Sequence, residues 1–228
     1  MLKRNTPAAD EDLMRYCFAL AEKAAAQGEY PYAAVVARNG MIVAETINRV
    51  ARDRDVTRHA ELVAIGLAQD ALGSTDLSDC TIYANMEPCA LCCYAIRESR
   101  IGKAVFSMRS PIMGGASRWD ILGDRHLSDK MPEVFAPPPL LLQEFLCEEA
   151  DAMLRRSAPL AWAFMRARGL VARPQQGGVG DAARALVPAH RPGVVKWVMR
   201  ALRRNVFDRF GRGAGRRPRA GTDVRSSP

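Results

Sequence analysis

Two short motifs bring together residue types that bind zinc. His59-Ala60-Glu61 is followed, 27 residues after its glutamate, by Pro88-Cys89-Ala90-Leu91-Cys92. Imidazole and thiolate are preferred zinc ligands, and two cysteines three positions apart lie on one side of a helical turn. Three protein ligands leave a coordination position free for water, which is typical of a catalytic site, whereas a structural site has four. The spacing therefore predicts one catalytic Zn²⁺ per chain, held by His59, Cys89 and Cys92.

Glu61 is a candidate proton shuttle. Because it lies two residues from His59, its carboxylate can sit beside a bound water without binding the metal itself. Bound zinc lowers the pKa of that water to about 7. The alternatives are that Glu61 is a helix-surface carboxylate and that the zinc site is structural. Cys93 could complete a structural site, but on a helix it points about 100° away from Cys92, so we expect it to pack in the core.

The elements that must position these motifs alternate between helix and strand. The apolar spacing predicts helices over residues 10–27, 59–72, 89–97 and 148–168. It predicts strands over residues 33–37, 41–44, 80–83, 104–106 and 140–146. Asn39-Gly40 joins the first two strands as a hairpin, and each motif lies in the first turn of a helix, where the helix dipole favours anions. The pattern indicates an α/β sandwich whose sheet is mostly parallel, with an antiparallel hairpin at one side.

Residues 107–139 have little pattern and are rich in Gly and Pro. Loops of this length are uncommon unless they carry function or are disordered.

Charge divides the chain of 228 residues, whose net charge is +8, into two parts. From Leu170 to the end there are 13 Lys and Arg against 3 Asp and Glu, whereas residues 1–169 carry 20 positive and 22 negative charges. We therefore predict a folded domain over 1–169 and a basic, largely disordered extension over 170–228, with an amphipathic helix at 194–210. That helix could pack on the body, contact RNA or lie on an anionic membrane surface.

The cysteines favour a reducing compartment. No apolar leader follows Met1 and no run of about 18 apolar residues occurs, so we expect a cytoplasmic location without disulfides. Cys17, Cys80 and Cys147 lie in apolar patterns and are expected in the core.

The two motifs resemble those of the zinc-dependent nucleobase and nucleoside deaminases, in which His-x-Glu precedes Pro-Cys-x-x-Cys. The chain is similar to the cytidine deaminase superfamily, nearest the branch that holds tRNA adenosine, guanine and cytosine deaminases. The similarity runs from about Asp10 to Arg168 and includes Pro31-Tyr32-Ala33-Ala34-Val35, Asn48, the stretch from Asp55 to Glu61, and Met86 to Cys92.

This resemblance implies a three-layer α/β/α cytidine-deaminase-like sandwich with a roughly five-stranded mixed sheet, so that 1–169 is a zinc-dependent deaminase domain. It implies a hydrolase acting on C–N bonds, in which zinc hydroxide attacks the amine-bearing ring carbon while Glu61 transfers protons. It also implies a homodimer. The implied substrate-binding residues are Asn48, Ala60, Pro88, Ala33 and Trp119.

Two of these positions do not follow the family pattern: Ala33 is a different residue type, and Trp119 lies in a segment that does not match the relatives. Ala33 stands where relatives usually have glycine, and its methyl group could narrow the base site. Trp119 and Arg118 could stack on or hydrogen-bond to a base, but Trp119 could equally be a core or dimer-interface residue. Asn48 could be a simple turn former.

Three functions remain open. Because phosphate neutralisation dominates RNA affinity and the body is slightly acidic, we rank first a deaminase of a small nucleobase or nucleoside, such as guanine, cytosine or a related amino-heterocycle. The alternative is a tRNA-specific adenosine deaminase that forms inosine at the wobble position, with the basic extension contacting tRNA. The third is a non-catalytic, zinc-stabilised module whose extension binds RNA or an anionic surface.

Overall fold

The computed structural model describes residues 8–172. The helices within them are α1 (Asp10–Ala26), α2 (Val50–Asp53), α3 (Ala60–Leu72), α4 (Ala90–Glu98), α5 (Arg125–Lys130), α6 (Cys147–Ser157) and α7 (Pro159–Ala167). The strands are β1 (Ala33–Arg38), β2 (Met41–Ile47), β3 (Cys80–Met86), β4 (Lys103–Met108) and β5 (Leu140–Leu142). No helix in this part of the chain is long and apolar enough to cross a membrane. The helix predicted at 194–210 lies outside the described residues.

The five strands form one mixed sheet in the order β2-β1-β3-β4-β5. The predicted hairpin is confirmed: Asn39 and Gly40 have φ values of 51° and 72°, the left-handed conformation that a tight hairpin turn requires. The expected antiparallel hairpin lies at one side of the sheet, and β1 is antiparallel to both of its neighbours, β2 and β3. The connection after β2 places β3 on the free side of β1, so β2, β3, β4 and β5 run in one direction and β1 alone runs against them.

Helices cover both faces of the sheet. Alternate residues of β1 point to opposite faces, as strand geometry dictates. Val35 belongs to the apolar core beneath α1, α6 and α7, and Val36 belongs to the core beneath α3 and α4. The predicted three-layer α/β/α architecture with a five-stranded mixed sheet is therefore confirmed.

Two predicted elements are shorter than expected. The strand expected over 140–146 ends at Leu142, since Glu144 and Leu146 have φ values of 56° and 53° that no strand accommodates. The helix expected over 148–168 is broken into α6 and α7 at Ala158. Proline disfavours helical geometry in the residue before it, and Pro159 therefore starts a new helix.

The strand directions bring the two motif-bearing segments to one end of the sheet, where the strands terminate. The carboxyl ends of β2, β3 and β4 and the amino end of β1 lie at this end of the sheet. The segments leading into α3 and α4 leave from there, so both sequence motifs begin their helices at the same end. Ligand sites of open α/β sheets are commonly found at such an end.

Candidate metal centre and active site

The three predicted zinc ligands meet at the end of the sheet where β2, β3 and β4 terminate. Nδ1 of His59 lies 3.5 Å from Sγ of Cys89 and 3.4 Å from Sγ of Cys92, and the two sulfurs are 3.6 Å apart. Tetrahedral coordination at the usual bond lengths of zinc requires about 3.8 Å between two sulfurs and about 3.6 Å between sulfur and nitrogen. The three atoms thus fit one zinc ion, and they form the one metal-competent cluster among residues 8–172.

Two helix starts position these ligands. His59 is the residue before the first turn of α3, and Cys89 holds the same place before α4. Cys92 follows within the first turn of α4, so both cysteines face the imidazole. His59 and Cys89 are only partly buried, which leaves the cluster reachable from solvent. The expectation for Cys93 is confirmed: it is fully buried, and its thiol donates to the carbonyl oxygen of Pro88 at 3.3 Å instead of joining the cluster.

The two thiols cannot both ionise easily without a cation between them. Hydrogen bonding with the thiol of Cys92, aided by His59, lowers the pKa of Cys89 to about 4 against the opposing effect of burial. The same hydrogen bond, together with burial, raises the pKa of Cys92. A sulfur pair of this kind is suited to a divalent cation, which stabilises both thiolates at once.

Glu61 lies beside the cluster without belonging to it. Its side chain is nearly buried, and burial raises the pKa of its carboxyl to about 6, although hydrogen bonds with its own backbone and with Cys92 oppose the shift. The alternative of a helix-surface carboxylate is therefore wrong. A carboxyl group whose pKa is raised toward neutrality, beside three potential metal ligands, has the properties of a general acid and base.

Asn48 lies directly after β2 and is 3% exposed, so it is more than a simple turn residue. Its backbone N–H donates to the carbonyl oxygen of Tyr32, and its side-chain Nδ2 donates to Oε1 of Glu29 at 3.2 Å. Glu29 also accepts from the N–H groups of Ala51 and Arg52 at the start of α2. One carboxylate that sequence reasoning missed therefore holds both Asn48 and the segment leading to the metal ligands.

Asn85 is a second buried residue that the sequence did not reveal. Its Oδ1 accepts from the N–H of Ala33 at 2.9 Å, and its Nδ2 donates to the carbonyl oxygen of Pro31. The thiol of Cys17 donates to the carbonyl oxygen of Ala33 at 3.3 Å. These bonds hold the amino end of β1, and with it the methyl group of Ala33, in one place.

Glu87 joins the loop after β4 to the second motif. Its carboxylate is 3% exposed and accepts from the backbone N–H groups of Ser110, Ala116 and Ser117, and from the hydroxyl of Ser117. Gly114 lies over this carboxylate so closely that a Cβ atom there would come within 2.2 Å of it. Residues 110–117 are therefore fastened to the chain two positions before Cys89.

Arg97, near the end of α4, holds the rest of the long loop. Its fully buried guanidinium donates to the carbonyl oxygens of Ile121, Asp124 and Ala136 at 2.7–2.9 Å, and to the hydroxyl of Ser128. The region 107–139 is thus ordered by two buried charges that flank α4, and it contains the short helix α5. An arginine within the apolar run of α4 was the signal that could have revealed this contact.

The remaining predicted substrate-binding residues differ in their exposure to solvent. Ala60 is buried in the first turn of α3, and Pro88 is buried next to Cys89. Trp119 is 56% exposed, so the alternative that it is a core residue is wrong. Cys17 and Cys80 are in the core as expected, Cys147 is half-buried, and all six cysteines are free of disulfides.

Comparison with known proteins agrees with this geometry. Residues 7–108 match the family model described as the cytidine and deoxycytidylate deaminase zinc-binding region. The tRNA-specific adenosine deaminase of Aquifex aeolicus is 35% identical over 118 residues, which cover 51% of this chain and 78% of that protein. The chloroplastic tRNA(adenine(34)) deaminase of Arabidopsis thaliana is 37% identical over 48% of this chain. A tRNA(Ile)-lysidine synthase of Deinococcus radiodurans is 42% identical over 49% of it. The matches span only 8% and 19% of those two longer proteins.

Solved structures of two kinds have a similar fold. A structure from work on A-to-I editing by tRNA:A34 deaminases at the wobble position superimposes with a TM-score of 0.57 and 26% identity, covering 63% of this chain and 99% of that one. The guanine deaminase from Nitrosomonas europaea superimposes with a TM-score of 0.55 and 26% identity, covering 67% of this chain and 86% of that one.

Proposed function

The chain belongs to the cytidine deaminase superfamily, and from that membership we propose that it is a zinc-dependent hydrolase that deaminates adenosine in tRNA to inosine. The observation that carries the chemistry is the cluster of His59, Cys89 and Cys92 at zinc-binding distances with the buried carboxyl of Glu61 beside it. The choice of substrate is supported by relatives named tRNA-specific adenosine deaminases, one of which is matched over 78% of its length.

The residues of the site can divide the reaction between them. His59, Cys89 and Cys92 would hold a zinc ion, which would lower the pKa of a bound water molecule enough for the water to react near neutral pH. Glu61 would accept a proton from the attacking water and pass it to the ring nitrogen. It would then move a second proton, from the newly added hydroxyl group, to the amine, which leaves as ammonia. Asn48, whose side-chain amide is held by Glu29, would orient the base by hydrogen bonding.

The surface beside the site is more basic than the whole body. Residues 49–58 contain Arg49, Arg52, Arg54 and Arg58 but only two acids, Asp53 and Asp55. Arg58 pairs with Asp55, whereas Arg54 has no ion-pair partner within residues 8–172. Phosphate groups are bound by such local charge, so the slightly acidic total of the body is compatible with an RNA substrate.

Deamination of free guanine, one of the small-base substrates that the sequence favours, is a second candidate. Its specific support is the similarity to guanine deaminase from Nitrosomonas europaea over 67% of this chain. A small substrate also needs no basic surface, in keeping with the charges of residues 1–169.

A substrate comparison tests both proposals. The zinc-loaded full chain is incubated with tRNA, with a short RNA hairpin that contains the target adenosine, and with guanine, cytosine and adenosine. Ammonia release and inosine content are then measured, with Glu61→Gln protein as the control for contaminating activity. Inosine formed only in RNA supports the first proposal. Turnover of guanine without any inosine in RNA would replace the first proposal by the second.

A further inference from the structure

An exposed tryptophan and an unpaired arginine stand together in the loop after β4. Trp119 is 56% exposed, and the guanidinium of Arg118 lies 5.1 Å from the centre of its ring. Arg118 has no ion pair or side-chain hydrogen bond to any other residue of the described range 8–172. Large exposed aromatic residues commonly mark a binding surface. An aromatic face next to a free cation suits a ligand that is both planar and anionic, as a nucleotide is.

Hydrogen bonds tie the backbone of this loop to the segment that carries the metal ligands. The N–H of Arg118 donates to the carbonyl oxygen of Gly114 at 3.0 Å, and this hydrogen bond closes a turn between the two residues. Gly114 in turn forms a β-bridge with Cys89, and Glu87 accepts the N–H of Ser117. The backbone that carries Arg118 and Trp119 is therefore fixed near the second motif, which limits the entropy lost when a ligand binds.

We propose that Arg118 and Trp119 form a stacking platform for a base that neighbours the target nucleotide in a single-stranded stretch of RNA. The platform rests on the proposed function, since it serves an RNA substrate. A deaminase must take its target base out of the stack, and this exposes the flanking bases. Trp119 restores stacking for one of them, while Arg118 lies near the neighbouring phosphate.

A subunit interface is the competing explanation for an exposed tryptophan. Burying the free guanidinium of Arg118 against a second protein would cost desolvation energy unless a carboxylate met it. Contact with a phosphate neutralises the same charge. The observed pairing of an unpartnered cation with an aromatic ring thus favours nucleic acid over a second copy of the chain.

A double-mutant cycle between protein and RNA tests the platform. Equilibrium dissociation constants are measured in a Glu61→Ala background, which keeps the RNA unconverted. The probe is an RNA hairpin with adenosine in its loop, in an intact form and in two forms that lack the base immediately 5′ or 3′ of that adenosine. The variants are Trp119→Ala, Trp119→Phe, Arg118→Ala and, as a control at another exposed apolar side chain, Leu160→Ala.

We expect Trp119→Ala to raise the Kd for the intact hairpin by about 5- to 150-fold, the usual effect of losing one aromatic–base stack. The loss should disappear for one of the two abasic hairpins, because that RNA has no base to stack. Trp119→Phe should retain most of the affinity, and Leu160→Ala should leave it unchanged. Arg118→Ala should lower the slope of log Kd against log salt by about 0.7, the contribution of one single-strand phosphate.

Three results would overturn the platform: an unchanged Kd in Trp119→Ala, an equal loss for all three hairpins, or a loss accompanied by dissociation of a wild-type oligomer. The proposed function is judged separately, by inosine formation in the wild-type protein. Base-specific coupling without inosine would refute the function and keep the platform. Inosine formation without coupling would refute the platform alone, and so would a protein that does not bind the hairpin but forms inosine in tRNA.

Discussion

Replacing Glu87 tests whether one buried carboxylate fastens the loop after β4 to the second motif. In Glu87→Gln, the amide oxygen can still accept the N–H groups of Ala116 and Ser117. The amide nitrogen then faces the N–H of Ser110, which now donates to the carboxylate at 2.6 Å. Two donors pointing at each other leave one buried N–H group without an acceptor. Such a group costs about 1–3 kcal/mol, so we expect Glu87→Gln to lower the free energy of unfolding by about 2 kcal/mol.

Glu87→Ala removes the acceptor for three N–H groups and the hydroxyl of Ser117. Because water can enter the space and replace part of the lost bonding, we expect a loss of about 4 kcal/mol rather than the sum of all four bonds. The exposed Glu98, on the helix that follows the motif, provides a matched control. Glu98→Gln should change the free energy of unfolding by less than about 0.5 kcal/mol.

Urea denaturation of zinc-loaded protein measures these differences through the transition midpoint at an unchanged slope. Zinc content should remain one per chain in Glu87→Gln, since no ligand is altered. If the loop forms a wall of the substrate site, the KM of this variant should rise more than its kcat falls. A Glu87→Gln protein that unfolds at the same urea concentration as the wild type would show that the loop is not held by this carboxylate.

The remaining predictions concern the shuttle, the packing of the loop, and the metal. Glu61→Gln should keep its zinc and its fold but lose at least about 10²-fold in kcat, and undiminished turnover would remove Glu61 from the mechanism. Gly115→Ala should lose about 1–3 kcal/mol in urea denaturation because its Cβ would lie 2.3 Å from Sγ of Cys93. Gly66→Ala, in α3, where the new Cβ meets no atom within 4 Å apart from the neighbouring backbone of its own helix, should instead gain up to about 1 kcal/mol. Equal effects of the two substitutions would contradict the packing. Chelation should lower the Tm of the wild type, and added zinc should restore it; the same response in His59→Ala would exclude this site as the zinc site.

The sequence alone was enough to identify His59, Glu61, Cys89 and Cys92 and the helix starts that carry them. Zinc accepts few side-chain types, and its ligands must follow short spacings set by one helical turn, so the information is local. The hairpin at Asn39-Gly40 was predictable for the same reason, because only a few residues tolerate positive φ.

The tertiary structure alone decided which buried charges hold the site together. Glu87 meets residues 110–117, and Arg97 meets carbonyl oxygens that are 24 to 39 residues away in sequence. It also decided that β3 pairs with β1, which makes half of the strand pairings antiparallel. Such contacts join groups that are far apart in the chain. Their partners are backbone N–H and C=O groups, and because every residue type but proline carries both, the amino-acid sequence does not show which residues will form these bonds.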